Sequence, residues 1–224
     1  MKLDYKKILC RIYSLIKKLI LWCYARWDAF AVCGLCFCLL MGMQWYTYRY
    51  TPSEENAVRS HVVQVAQQYL GYNEADGSHR QIIDRYNAHE PRARDYEVTY
   101  EDSWCAVYVS TVALDALVDN WIPLECGCEQ QILLFDERGD WIEDDEYLPK
   151  PGDFIYYDWN STGTGIGNCT GWADHVGIVV QTLGPVMKII EGNKEDDVSY
   201  RYLLINDPCI RGFATPDYFS ISQT

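Results

Sequence analysis

Basic side chains are scarce along most of this chain. Beyond residue 50, eleven Lys/Arg face thirty Asp/Glu, a formal charge of −19 on that stretch. A body of that sign repels phosphates, which excludes nucleic-acid binding by backbone contacts. The sequence also lacks internal repeats and low-complexity tracts, which excludes solenoid and fibrous architectures. With 49% hydrophobic and 23% charged residues, its 224 positions supply one full core plus an appendage and do not describe a disordered chain.

Charge of either sign is missing from Ala29 to Tyr48. The apolar part of that stretch runs to Met43, with Trp22, Tyr24 and Trp27 before it and Trp45, Tyr46, Tyr48 and Tyr50 after it, the placement expected of rings at two headgroup layers. A small-x-small cleavage signal is absent after Met43, so the stretch reads as a retained anchor rather than a removed secretory leader. Seven of the eight basic residues among positions 1–50 precede it, and the positive-inside rule then leaves the N-terminus in the cytoplasm and the body outside. Leu9, Ile12, Tyr13, Ile16 and Ile20 recur at helical spacing opposite Lys7, Arg11 and Lys18, a basic amphipathic segment suited to an anionic inner leaflet. The expected organisation is 1–28 cytoplasmic, 29–48 transmembrane and 51–224 extracytoplasmic, in a single-pass protein of the cell membrane.

In the outer body, Thr51-Pro52-Ser53-Glu54 has capping-box form and opens a helix that Gly71 would stop. A short helical piece follows around Gln81–Tyr86. A second, mostly buried helix is predicted from Ser103-Trp104-Cys105, because Val109, Val112, Ala113, Ala116 and Leu117 recur at helical spacing. After the turn Pro151-Gly152-Asp153 the pattern changes to strands: 154–158, 175–181, 186–191, 199–205 and 210–213, with Leu183-Gly184-Pro185 joining two of them. Helices first and an antiparallel sheet afterwards predict an α+β fold.

Five of the ten cysteines lie in the outer body: Cys105, Cys126, Cys128, Cys169 and Cys209. An odd number in a disulfide-permitting compartment leaves one thiol unpaired. Cys105 falls in the first turn of a predicted helix, where the dipole favours thiolate. His175 opens a predicted strand in Asp-His-Val-Gly, and Glu191 and Asn193 end another; either could accept an imidazole N–H and fix the ring's tautomer. Asn73-Glu74-Ala75-Asp76-Gly77-Ser78 is acidic but lacks the EF-hand pattern, so an ordinary polar turn is expected there, and no metal or cofactor.

Ser-Trp-Cys-Ala (103–106), Lys-Pro-Gly-Asp (150–153), Asp-His-Val-Gly-Ile-Val (174–179) and Glu-Gly-Asn (191–193), in that order, resemble the cysteine, histidine-dependent amidohydrolase/peptidase (CHAP) family of bacterial and phage cell-wall hydrolases. The resemblance covers about residues 56–220 and extends to Leu70-Gly71-Tyr72 and Ile210-Arg211-Gly212-Phe213. It implies a papain-like fold, Cys105 as nucleophile, His175 as general base and then acid, Glu191 as the residue orienting His175, and Asn193 as a further polar member of the site. The implied substrate is peptidoglycan, cut at the muramoyl–L-alanine amide or within the stem peptide and cross-bridge. With Cys105 as the free thiol, the other four form an even set, pairing as 126–169 with 128–209 or as 126–209 with 128–169, or remaining reduced. No second wall-binding domain is expected, so affinity would come from tethering. The competing readings are a catalytically idle, membrane-tethered module that binds the wall or a partner protein, and a cysteine transferase of the same fold.

Overall fold

The computed structural model describes residues 53–144, 147–159 and 171–223, together with Cys38. The expected cytoplasmic segment and membrane span therefore lie outside the described residues, Cys38 apart. Among the described residues no helix is long and apolar enough to cross a membrane.

The body is α+β. Its helices are α1 (Ser53–Gln68), α2 (Arg80–Asn87), α3 (Cys105–Asp115), α4 (Cys128–Arg138) and α5 (Tyr218–Ser222). Its strands are β1 (Trp141–Ile142), β2 (Phe154–Tyr157), β3 (His175–Leu183), β4 (Val186–Lys194), β5 (Asp197–Leu204) and β6 (Ile210–Ala214). They form one sheet in the order β1-β6-β2-β3-β4-β5, with every neighbouring pair antiparallel. The five strands expected from alternation are all present.

Helix α3 is buried along ten of its eleven residues and packs on β3 and β4. Its position follows from sequence: Trp104, Tyr108, Val109 and Val112 join Phe154, Tyr156, Val176, Ile178 and Ile190 in the main core. The other sheet face carries a smaller cluster built on Ile155, Tyr157, Val179, Ile189 and Phe213. Buried apolar area of this kind contributes roughly 25 cal/mol per Å². Gly192 permits the close approach of β4 to α3, since a Cβ there would stand 2.5 Å from Tyr108 Cβ.

The Pro151-Gly152-Asp153 turn is a structural anchor. Asp153, fully buried, accepts from Arg59 Nη1 at 2.7 Å, from Tyr147 Oη at 2.6 Å and from the Lys150 backbone N–H at 2.7 Å. Tyr218 Oη donates to the Gly152 carbonyl at 2.6 Å, and the Arg59 guanidinium lies 4.6 Å from the Tyr218 ring centre. One turn thus joins α1, α5 and the start of β2. The Lys-Pro-Gly-Asp motif serves the scaffold.

Helix α4, strand β1 and helix α5 are additions to the elements expected from sequence. In α4 the buried positions Cys128, Ile132 and Phe135 keep helical spacing, but Leu133 and Leu134 face solvent and blur the pattern.

Candidate active site

Three of the four expected site residues come together. His175 is the first residue of β3 and sits opposite Tyr157 in β2. Alternation along β3 turns His175, Gly177 and Val179 to one face while Val176 and Ile178 enter the core beneath α3. Because His175 stands at the strand's end, its ring meets Cys105 at the N-terminus of α3 rather than through the sheet.

His175 Nε2 and Glu191 Oε2 are 3.1 Å apart. The Cys105 thiol and the His175 ring each favour the other's charged form. With Nε2 engaged by Glu191, Nδ1 is the ring nitrogen left to serve the thiol. Gly177 makes the carboxylate's reach possible: a Cβ there would stand 2.7 Å from both Glu191 Cγ and Ile189 Cγ2. Histidine, then glycine two residues on, is therefore a steric pattern that clears room for the partner carboxylate.

Glu191 is itself fully buried and held on three sides. Arg201 Nε donates to both its oxygens, at 2.7 and 2.9 Å, and Tyr157 Oη donates to Oε1 at 2.8 Å. Arg201 pairs with Ile189 across the β4–β5 ladder, one diagonal step from Glu191 on the same face. Sequence reasoning did not single out Arg201 or Tyr157; strand alternation and register would have found both. Trp159 stacks on Tyr157 at 4.7 Å and lies 6.2 Å from His175, half exposed at the edge of the site.

Asn193 stands apart. It sits at an irregularity in the β4–β5 ladder with φ of 56°, a turn-like backbone at the strand's end. Continuing the Gly177–Glu191 register would set it opposite His175, but that pairing is not made. Glu191 alone takes the imidazole N–H among the described residues.

The fourth side chain of the site was not expected there. Cys128, first residue of α4, places its Sγ 3.6 Å from Cys105 Sγ. Two eleven-residue helices thus aim their N-termini at one sulfur. Cys105, Cys126, Cys128 and Cys209 are all unbridged, so neither expected pairing is formed and the reduced alternative describes Cys126, Cys128 and Cys209; Cys169 lies outside the described residues. Cys128 instead faces Cys105 from the first turn of its helix.

The electrostatics follow from these contacts. The hydrogen bond from Cys128 pulls the Cys105 thiol well below its ordinary value, with further help from His175 and the Ala106 N–H, against the opposing effect of burial. Cys128 moves the other way, raised by serving as the S–H donor to Cys105 and by burial. Burial would lower His175, yet its hydrogen bonds to Cys105 and Glu191 raise it to about 9. Burial would raise Glu191, but the His175 and Arg201 contacts hold its carboxyl below the usual range. These shifts run in the direction that favours a Cys105 thiolate beside a His175 imidazolium, with Glu191 accepting from the ring. Among the described residues no group of three or more His, Cys, Asp or Glu is placed to hold a metal ion. Comparison of the chain with family models, with curated proteins and with solved structures finds no match.

Proposed function

We propose that this protein is a membrane-anchored cysteine hydrolase of peptidoglycan with a papain-like catalytic body. The observation that carries the reading is the ordered contact series Cys105, His175, Glu191, Arg201, in which a buried thiol at a helix N-terminus meets an imidazole locked by a buried carboxylate. A binding module has no use for a thiol depressed in this way. The reading is further supported by the CHAP-like motifs and by a basic, apolar N-terminal stretch ahead of an acidic body.

The chemistry follows from the residue types. Cys105 thiolate attacks the carbonyl carbon of an amide, and first-turn N–H groups of α3 lie near the developing oxyanion. His175 already carries its proton in the resting pair, so it acts first as acid, giving that proton to the departing amine. A thioester on Cys105 remains. His175, now neutral, takes a proton from water, the resulting hydroxide cleaves the thioester, and Cys105 leaves as thiolate. Glu191 and Arg201 are positioning residues: they hold the ring and its charge but touch no reacting atom.

Tethering would supply effective concentration near the inner face of the wall, favouring local remodelling over bulk lysis. The test uses the full-length chain in detergent and its Cys105→Ala variant, each incubated with purified peptidoglycan of several cross-link types, followed by mass measurement of soluble fragments. New fragments from the parent chain alone establish hydrolysis, and their masses identify the bond. Silence from both, with equal wall binding, overturns the enzyme reading in favour of a tethered binding module.

A further inference from the structure

The mechanism just described uses one sulfur, yet the site contains two. Cys105 and Cys128 are 23 positions apart in sequence and 3.6 Å apart at Sγ. Both open helices, and both are buried. Their proximity is enforced from several directions. Gln131 donates to the Pro123 carbonyl at 2.7 Å and accepts from Tyr156 Oη at 2.8 Å, fixing α4 against the sheet. Ser110 in α3 donates to the Glu125 carbonyl at 2.8 Å and accepts the Glu125 N–H at 3.0 Å, fixing the loop that leads into α4. The Ala173 N–H donates to Glu129 at 2.9 Å, joining α4 to the approach to His175.

We propose that Cys105 and Cys128 form a reversible oxidation site, in which a peroxide oxidises Cys105 and Cys128 then closes on it as a disulfide. The proposal rests on Cys105 being the reactive thiolate of the site. In the first step the Cys105 sulfur attacks one peroxide oxygen; the O–O bond breaks, a sulfenic acid forms on Cys105, and the departing hydroxide is protonated to water. In the second, Cys128 sulfur attacks the Cys105 sulfur; the S–O bond breaks, the S–S bond forms, and the leaving hydroxide takes the Cys128 proton as a second water. Two thiols are oxidised and one peroxide is reduced to two waters. A disulfide needs roughly 2.05 Å between sulfurs, so the pair must close by about 1.5 Å, a distance within side-chain rotation.

Two consequences separate this device from a mere packing pair. The disulfide removes the nucleophile, so oxidised protein is inactive until a dithiol restores it. It also protects the nucleophile, because a sulfenic acid consumed by Cys128 does not proceed to the irreversible sulfinic and sulfonic acids. Cys126 cannot substitute within the present geometry, being half-buried and held by Arg94 Nη2 at 3.1 Å.

The test exposes the full-length chain in detergent to hydrogen peroxide, alkylates the remaining thiols with iodoacetamide, and digests after acidic residues. Cleavage after Glu125 separates Cys105 from the peptide carrying Cys128. A Cys105–Cys128 cross-linked peptide, two hydrogens lighter than its parts, is expected, with loss of Cys105 alkylation and full recovery after dithiothreitol. Cys126→Ser keeps the cross-link. Cys128→Ser loses it and passes Cys105 to acids that dithiothreitol does not reverse. Recovery of Cys105 from the parent chain as a sulfinic or sulfonic acid with Cys128 still reduced overturns the proposal, as does Cys105 that stays unoxidised. Wall digestion by the reduced chain, measured in parallel, tests the hydrolase reading separately: a cross-link without digestion sinks that reading alone, and digestion without a cross-link sinks this one alone.

Discussion

At the scale of single residues, the charge state of two side chains governs the site. Cys105 is held below its ordinary range and His175 is raised to about 9. A raised imidazole is protonated below that value and loses its proton as pH rises through it. The leaving-group acid therefore disappears near pH 9, and kcat/KM for wall cleavage should fall above it. On the acid side, alkylation of Cys105 by iodoacetamide should keep its plateau through the range in which an ordinary thiol, with a pKa of ~8.5, already slows about tenfold per pH unit. Tenfold slowing per unit at Cys105 would show that the ion pair is absent. A second prediction concerns Gly177, the residue that clears space for Glu191. Gly177→Ala should push the carboxylate away from the ring, reduce turnover on the order of 10²-fold, and move the alkaline limb of the pH profile below 9. An unshifted limb would show that Glu191 does not set the acidity of His175.

At the scale of elements, the Lys150–Asp153 turn determines how α1, α5 and β2 meet. Removing one member of a buried ion pair strands its partner's charge, so Asp153→Ala should cost about 3–5 kcal/mol, read as a lowered urea midpoint at unchanged slope. A loss below ~1 kcal/mol would mean that Arg59 finds another partner. Most of this architecture was legible in the sequence because its signals are periodic: alternation marked β2 to β6, and helical spacing marked α1 and α3. Cys105, His175 and Glu191 were legible as residues, since the first two open their elements and all three sit within short recognisable strings. What was not legible depends on register or on helix-to-helix approach. Arg201 becomes a partner of Glu191 only once β4 and β5 are aligned, and Cys128 reaches Cys105 only through α4, whose exposed Leu133 and Leu134 hid its amphipathic face. Asn193 marks the limit of alternation: it remains within β4, but with φ of 56° and beside an irregularity in the β4–β5 ladder, so period two does not fix which way it faces.

At the scale of the whole molecule, charge becomes the dominant variable. The chain carries a formal −13 at neutral pH, with its positive residues concentrated ahead of the acidic body. Anionic wall polymers should repel that body, and salt should relieve the repulsion. Raising ionic strength from 10 to 150 mM shortens the screening length from about 30 to about 8 Å. Digestion of anionic walls by the full-length chain in neutral detergent should speed up several-fold over that range. Slower digestion would reveal an attractive patch that outweighs the net charge.

The strand order carries a consequence for how the molecule is born. β6, at 210–214, lies between β1 and β2, which are made some sixty residues earlier. Until those final residues emerge, β2 keeps an open edge on the side away from His175, and α5, which contacts α1, does not yet exist. The sheet is consequently completed at the end of synthesis rather than along the way. A chain still on the ribosome would already hold Cys105, His175, Glu191 and Arg201 while the sheet that carries them stayed open on its β6 side.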